Sequence, residues 1–339
     1  MFRIFWTSVF CSFLATAWSA GQEAVVIRLA KAGTVEAVFT ATSFEQKGGE
    51  IRLTDPRLYL PNPEQEEGFG ASPMGSWPAY TTEHPGEVAL WRAASCVLKV
   101  NTDITKGGLD LDAITEMVWS GDAVMELGYG KRRSIFRARE LRLVDQKIEI
   151  PGPFAWNGEN WSISGSKAKG FLAPDAKGRP LRLVSNLVLE GSTEARGLVS
   201  LPGLGQSEFT LKSEGSVLAS VTDDKVGFRG QGPVEGWEPK FRVHGNDPRG
   251  LLGPTGWHYL ELENPRAHYE GPDTPGGVEL KGRYMYMEPR QVEISGNPVT
   301  MKGSKVELES AGVRWDRGEG RIHCDDPKIK TRKPAVKTP

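Results

Sequence analysis

The ten residues Ile51-Arg52-Leu53-Thr54-Asp55-Pro56-Arg57-Leu58-Tyr59-Leu60 decide the fold class of this chain. Ile51 and Leu53 alternate with polar residues, which is the pattern of a strand with one buried face. Leu53 and Leu58 are five positions apart, so an unbroken strand would point them to opposite faces. A bulge at Asp55-Pro56, where proline removes a ladder donor, would return both leucines to the buried face. Two unrelated turns with common turn residues are the alternative.

The same motif recurs in the second half of the chain as Leu260-Glu261-Leu262-Glu263-Asn264-Pro265-Arg266-Ala267. A second motif, an apolar strand end followed by a glycine-centred break, occupies residues 119–124 and returns at 294–299. Pro265 and Gly296 are 31 residues apart. A repeat of this length indicates strand–turn–strand units that must stack on each other to bury an apolar face.

Alternation with period two continues through most of the chain, as where Leu141 and Leu143 flank Arg142. Forty glycines and 23 prolines suit a fold with many turns. Helical periodicity is nearly absent. Residues 111–118 could form one short helix, although Leu109, Leu111 and Ala113 also alternate. We therefore predict an all-β fold, an antiparallel sheet built from strand–turn–strand repeats.

The repeats and the composition divide the 339 residues into parts. We predict a signal peptide at 1–20, a β module at 22–200 with an inserted loop at about 61–91, a second β module at 201–330 and a basic tail at 331–339. Basic residues crowd the end of the chain at Lys328, Lys330, Arg332, Lys333 and Lys337. With so few apolar side chains, this basic end should remain mobile.

The N-terminus has the pattern of an export signal. Arg3 gives a positive start, and the apolar run at 4–17 is short for a membrane span. The run ends in Ala15-Thr16-Ala17, a small-x-small cleavage pattern, and Ala20 offers a second site. These features predict a periplasmic protein, and an uncleaved inner-membrane anchor reaching about Ala20 is the alternative.

The charge and the cysteines narrow the range of partners. The formal net charge is −1 without a basic and aromatic stripe, so no nucleic-acid partner is expected. After signal cleavage the chain keeps Cys96 and Cys324. An oxidising compartment allows a disulfide between them if their Cα atoms approach within about 7 Å. Two free thiols are the alternative.

Three features resemble periplasmic lipopolysaccharide-transport proteins of the OstA/LptA/LptC type: the segment Arg-Ala-Arg-Glu-Leu-Arg-Leu at 137–143, the Ser-Gly-Asp/Asn breaks, and Val-Arg-Trp-Asp-Arg-Gly-Glu-Gly-Arg-Ile at 313–322. The likeness covers about 35–60, 92–190 and 255–330. It implies an open β-jellyroll, a folded-over sheet whose apolar interior carries acyl chains. It also implies lipopolysaccharide or a similar glycolipid as ligand, and end-to-end strand pairing with other bridge proteins.

Eight apolar residues on the predicted buried faces are candidates for the lipid trough. They are Ile51, Leu53, Leu58, Leu60, Ile148, Ile150, Leu260 and Leu262. Strand parity assigns these side chains to a face, but an ordinary packed core has the same parity. Both interpretations are open from the sequence.

Catalytic and metal-binding motifs are absent from the sequence. There is no G-x-S-x-G, no H-E-x-x-H, no P-loop and no Cys/His spacing that suggests zinc, so we expect neither an enzyme nor a cofactor. A secreted carbohydrate-binding sandwich is the first alternative, with sugars stacked on exposed tryptophans such as Trp156, Trp161, Trp237 and Trp257. A polysaccharide-processing enzyme with two facing carboxylates is the second.

Overall fold

The structure is a computed structural model of the chain. It describes residues 25–31, 34–60, 89–101, 109–127, 134–173, 183–201, 205–222, 224–270, 276–304 and 306–331. The predicted signal peptide lies outside the described residues, as do residues 61–88 of the predicted loop and 332–339 of the predicted tail.

Twenty-six strands follow one another along the described parts of the chain. Strands β1 to β13 are Val25–Lys31, Thr34–Ala41, Ser43–Lys47, Glu50–Thr54, Arg57–Leu60, Ala89–Arg92, Ser95–Val100, Leu109–Asp110, Ile114–Leu127, Ser134–Val144, Lys147–Ile150, Phe154–Asn157 and Trp161–Ala173. Strands β14 to β26 are Leu183–Leu201, Gly205–Ser213, Val217–Thr222, Lys225–Gly230, Pro233–Glu238, Phe241–Gly253, Gly256–Tyr269, Val278–Lys281, Tyr284–Met287, Gln291–Lys302, Val306–Asp316, Arg321–Cys324 and Lys328–Thr331.

The predicted all-β class is confirmed, because the described residues are almost entirely strand. The strands pair antiparallel, as β1 does with β2, and a short parallel pairing joins β1 to β8. Among the described residues the only helical turn is a 3₁₀ turn at Leu111–Ala113. Of the two patterns open for residues 111–118, the alternation of Leu109, Leu111 and Ala113 holds, since all three are buried, and helix is limited to that turn. β9 begins at Ile114, whose β-branched side chain favours extended backbone.

The chain divides into two compact units. Unit 1 contains Met1–Trp156 and Lys167–Ser185, and unit 2 contains Asn157–Ser166 and Asn186–Pro339. The division therefore runs through β13 and β14, whereas the sequence patterns place the module boundary at residue 200. Each unit has its own apolar interior.

Each unit is a meander of kinked segments, in which a segment pairs with the one before it and the one after it. For example, β4 and β5 together form one segment, with the kink at Asp55-Pro56. On one side of the kink β4 pairs with β3 and β7, and on the other side β5 pairs with β2 and β6. Leu53 and Leu58 are both buried on either side of this kink. Leu262 and Ala267 are likewise both buried on β20. At Asp55-Pro56 the segment breaks between β4 and β5, and on β20 the register with β19 shifts, so both motifs keep their apolar residues on the buried side.

Short polar residues provide the sharp backbone turn at the kinks. Asparagine and aspartate tolerate the left-handed region better than other residues with a Cβ. Five of them have φ between 47° and 55° at kinks: Asp55, Asp122, Asp247, Asn264 and Asp326. In four of these five the next residue is a proline, which cannot donate to the ladder: Pro56, Pro248, Pro265 and Pro327.

The kinks of neighbouring segments lie beside each other. In unit 1 the backbone N–H of Asp55 donates to Ala94 O at 2.8 Å, and the N–H of Ala94 donates to Gly121 O at 2.9 Å. In unit 2 the N–H of Asn264 donates to Arg283 O at 2.7 Å. The 31-residue repeat in the sequence corresponds to two successive kinked segments.

The two halves of the segments face each other across the interior. Phe39 lies on β2 and Trp119 lies on β9, two strands of unit 1 that do not pair with each other. Their rings nevertheless stack, with centroids 5.6 Å apart. In unit 2 the ring of Tyr269, beyond the kink of β20, lies 4.2 Å from that of Trp315 on β24. The sheet of each unit therefore folds over at its kinks, and the core lies between the halves.

Two segments described from the sequence overlap with strands at one end. The inserted loop predicted at about 61–91 includes Trp91, but this residue lies on β6 and is 1% exposed in the core of unit 1. The basic end predicted to be mobile includes Lys328 and Lys330, but both lie on β26, which pairs with β24. The paired residues Leu308 and Ile329 supply the alternating apolar pattern that this strand needs.

Candidate functional site

The predicted trough residues lie in the interiors of the two units. Seven of their side chains are at most 2% exposed: Ile51, Leu53, Leu58, Ile148 and Ile150 in unit 1, and Leu260 and Leu262 in unit 2. Leu60 lies on β5, but its side chain is outside the described part of the structure. Strand parity thus assigns these seven side chains to the correct face.

Aromatic rings fill the interior of unit 1. Trp91 meets the edge of Trp119 with ring centroids 5.9 Å apart, and Trp119 also stacks on Phe39. Phe136 stacks on Trp156 at 4.6 Å. Because such packed rings leave little free space, the predicted trough residues of unit 1 pack as core side chains in this state.

Aromatic rings fill the interior of unit 2 in the same way. Trp257 packs against Phe209 and Phe228, each with centroids 5.5 Å apart, and its indole N–H donates to Phe209 O at 3.0 Å. Trp156, Trp161 and Trp257 are all buried, and Trp237 is half-buried. The three buried tryptophans cannot stack on a sugar at the surface, so they do not form the platform expected for the carbohydrate-binding alternative.

A cleft of about 440 Å³ opens at one end of unit 1. It lies between the 3₁₀ turn, the start of β9 and the hairpin turn at Asp145-Gln146. Its wall runs from the buried side chains of Leu111, Met117 and Leu143 to Phe171, which is 51% exposed. The volume is within the range of roughly 300–1,000 Å³ that is typical of small-molecule pockets. The wall of the cleft therefore joins buried apolar side chains to an exposed aromatic ring.

Polar side chains form the rim of this cleft. Asp112, Asp145 and Glu116 contribute carboxylates, and Lys147 contributes a cation. Glu116 also pairs with Lys99, whose Nζ lies 2.5 Å from Glu116 Oε2. The hydrogen bond that Lys99 donates to Glu116 raises the pKa of Lys99. The rim is acidic overall, and the apolar surface lies below it.

The corresponding space in unit 2 is much smaller. A cavity of about 10 Å³ lies between Ile163, Leu189 and Phe228. That is about the volume that one water molecule needs, so it cannot admit a ligand. Of these two spaces, only the cleft of unit 1 could hold part of an organic molecule.

A buried ion pair in unit 2 has no signal in the sequence. Arg317 follows β24 and pairs with Glu238 at the end of β18, and both side chains are less than a tenth exposed. Glu238 also accepts a hydrogen bond from Ser207 Oγ at 3.1 Å, and the guanidinium lies over the Trp315 ring at 5.6 Å. The partners are 79 residues apart, and only the folded chain brings them together.

Metal ligands do not come together in the described part of the chain. No group of three or more His, Cys, Asp or Glu side chains there could hold a metal ion. His258 is half-buried, and burial lowers its pKa, with a smaller contribution from Lys225. His268 lies 3.4 Å from Glu270, and both side chains are exposed to solvent. The His258 ring is thus partly enclosed, whereas His268 lies at the surface beside Glu270.

Cys96 and Cys324 are both free thiols in the structure. Cys96 is wholly buried on β7 in unit 1, and burial raises its pKa well above its usual value. Cys324 lies on β25 in unit 2, and its pKa is raised by burial and then by Asp325. Both thiols favour the protonated, less reactive form.

The cleft is hard to find from the sequence because its wall combines residues from distant segments. Leu109, Leu111 and Ala113 alternate in sequence, and all three are buried. That alternation is the one feature of the sequence that indicates a buried wall at this position. Phe171 carries no signal in the sequence, because an aromatic residue at a strand position is normally buried.

Among the described residues, no helix is both long and apolar enough to cross a membrane. Comparison with protein-family models, with curated proteins and with solved structures found no match to this chain.

Proposed function

We propose that this chain is an exported carrier that binds acyl chains of lipopolysaccharide, or of a related glycolipid, during transport to the outer membrane. The observation that carries the proposal is the cleft of unit 1, which leads from exposed Phe171 to buried Leu111, Met117 and Leu143. An acyl chain gains about 0.8 kcal/mol for each CH₂ group that it buries. A continuous apolar path is therefore the main requirement for such a ligand.

The rim determines which part of the glycolipid can enter. Asp112 and Asp145 stand beside the opening, and like charges in contact are unfavourable. A phosphate group would therefore remain outside the cleft, while the uncharged acyl chain enters it. The interior beyond the cleft is packed with rings, so binding of a whole chain requires the halves of unit 1 to separate.

The proposed partners would attach at a strand edge. Among the described residues, β26 pairs on one side only, with β24, and its Ile329 is 64% exposed. An exposed strand edge can accept a strand from another protein through main-chain hydrogen bonds. This edge is the proposed contact with other members of a transport bridge.

The test is a charge placed on the cleft wall. Phe171→Asp puts a carboxylate in the acyl path at a half-exposed position, so the fold should survive. We expect lipopolysaccharide binding to fall by about tenfold, since the ring's apolar contact is lost and a charge must be desolvated. Binding is measured by the concentration of lipopolysaccharide that displaces a fluorescent fatty-acid probe from the purified protein.

Phe44→Asp is the matched control. Phe44 is also an exposed aromatic residue of unit 1, at 37%, and it lies on β3 and does not line the cleft. This variant should bind like the unmodified chain, and circular dichroism should show both variants folded. Equal lipopolysaccharide binding by the two variants would contradict the proposal.

A further inference from the structure

Three tyrosines form a patch on the outer face of unit 2. Tyr284 and Tyr286 lie on β22, and Tyr259 lies on the neighbouring strand β20. The residues that alternate with them, Met285 and Met287, are buried. Tyr259, Tyr284 and Tyr286, here called the tyrosine face, therefore point away from the core.

Two rings of this face are nearly parallel. Tyr259 and Tyr286 have an interplanar angle of 21° with centroids 6.1 Å apart. Tyr284 is 39% exposed. The two rings stack in parallel and are not set around a common centre, as a cage for a cation requires. The patch therefore favours a ligand that lies along the sheet surface over a cation.

Hydrogen bonds hold the tyrosine hydroxyls in place. Tyr286 Oη donates to Glu288 Oε1 at 2.7 Å, and the Tyr284 hydroxyl bonds to Glu261 on the adjacent strand. These bonds limit rotation of the rings before any ligand arrives, which reduces the entropy cost of binding.

Charged groups of both signs surround the rings. Glu261 stands opposite Tyr286 and Glu263 stands opposite Tyr284 across the ladder. Arg249 stands opposite Glu261 on the next strand. The face therefore offers hydrogen-bond acceptors and a donor beside apolar ring surfaces.

We propose that the tyrosine face binds an extended, flat glycan with equatorial linkages. One side of such a sugar ring presents C–H groups, which match the negative face of an aromatic ring, and its hydroxyls match carboxylates and guanidinium at the edge. An acyl chain would cover Glu261 and Glu263 without offering them hydrogen bonds, so it fits this face poorly. This inference is independent of the acyl-chain proposal for unit 1.

The probes are chitohexaose and cellohexaose, titrated into the full-length protein by isothermal calorimetry. We expect binding of at least one of them. Tyr284→Ala and Tyr286→Ala should each weaken it by roughly three- to tenfold, as removal of one aromatic contact predicts. Tyr286→Phe keeps the ring and should retain most of the affinity.

Leu218→Ala is the control, because Leu218 is an exposed apolar residue of unit 2 outside the tyrosine face, on β16. It should bind the sugars unchanged, and urea denaturation should show all variants folded. Failure of the unmodified protein to bind either sugar would overturn the proposal, as would equal binding by the alanine variants. Binding to phosphatidylglycerol vesicles that the alanine variants lose, without sugar binding, would assign the face to a membrane surface and also overturn it.

Discussion

Gly121 occupies the kink of β9 with φ of +78°, where a side chain is strained. A Cβ at this position would lie 2.7 Å from Ala94 Cβ. Gly121→Ala therefore adds left-handed strain to a clash, and we expect a loss of about 2 kcal/mol or more in the free energy of unfolding. Urea denaturation of the purified protein measures this loss.

Gly152→Ala is the matched control for Gly121→Ala. Gly152 lies in the loop between β11 and β12, and a Cβ there would meet nothing within 4 Å. The stability of this variant should stay within about 0.5 kcal/mol of the unmodified chain. Similar losses in the two variants would show that the kink does not require glycine.

The tyrosine face predicts a pH dependence at alkaline pH. Burial, followed by the bond to Glu261, raises the pKa of Tyr284 to about 12. The bond to Glu288, followed by burial, raises the pKa of Tyr286 to about 12. Because the unfolded pKa is about 10, the folded chain holds these protons more tightly between pH 10 and 12. Their contribution to stability is complete below pH 10 and is lost as the pH rises through 12.

Ultraviolet titration of tyrosinate checks this prediction directly. Two tyrosines should titrate late in the folded protein, and the double variant with Tyr284→Phe and Tyr286→Phe should lose both late transitions. If both groups ionise near pH 10 in the folded chain, their hydroxyls are not held by the carboxylates.

At the scale of the strand, the sequence is most informative where a local rule applies. Period two assigns Leu53 and Leu262 to the buried face, and the motifs at Asp55-Pro56 and Asn264-Pro265 mark the kinks that the structure contains. These predictions succeed because side-chain direction and backbone φ depend on a few neighbouring residues. The sequence leaves helix and strand open over 111–118, because pairing with β7 decides that segment and pairing is not local.

β26 makes a prediction about the end of the sheet. A chain that ends after Pro327 loses β26 and exposes Leu308 of β24, which is 6% exposed in the full chain. We expect the free energy of unfolding to fall by about 1–2 kcal/mol, since apolar surface and ladder bonds are lost. Thermal and urea unfolding of the shortened chain test this.

A chain that ends after Thr331 is the comparison for that truncation. It keeps β26 and removes only the residues beyond it, so its stability should match that of the full chain. A large loss in this longer variant would instead show that the terminal basic residues stabilise the fold.

At the scale of the whole molecule, the packed interiors predict the effect of a buried charge. Leu53→Asp in unit 1 and Leu262→Asp in unit 2 each place a carboxylate where the leucine is at most 2% exposed. An unpaired buried carboxylate costs several kcal/mol. We expect both variants to unfold, as seen by loss of the strand signal in far-ultraviolet circular dichroism.

Arg52→Asp and Arg266→Asp are the controls, because they introduce the same side chain at exposed positions of the same strands, β4 and β20. Both should remain folded. If instead Leu53→Asp and Leu262→Asp fold with normal stability, water must reach these interiors, and the predicted open trough would be favoured over the packed core.

The cleft and the tyrosine face could not be predicted from sequence. Phe171 and Leu111 line the same cleft only because β11 pairs with both β10 and β13. Tyr259 and Tyr286 lie side by side only because β20 pairs with β22. Each site depends on which strands are neighbours. Alternation identifies the face on which a residue lies, but it does not identify the neighbour across the sheet.

The kinks have a consequence for how errors in strand alignment spread. β9 and β10 pair on both sides of their kinks. Ala138 lies opposite Ala123 on one side and Glu140 lies opposite Ser120 on the other, so the register shifts by one residue at the kink. Each half of a hairpin consequently has its own alignment, set by its own turn or its own apolar residues. The pairing of one half can therefore change register while the hydrogen bonds of the other half stay intact. The irregular backbone at the kink accommodates the difference in register between the halves. The kinks thus divide each long strand pair into two short strand pairs, and each short pair can reach its native register separately.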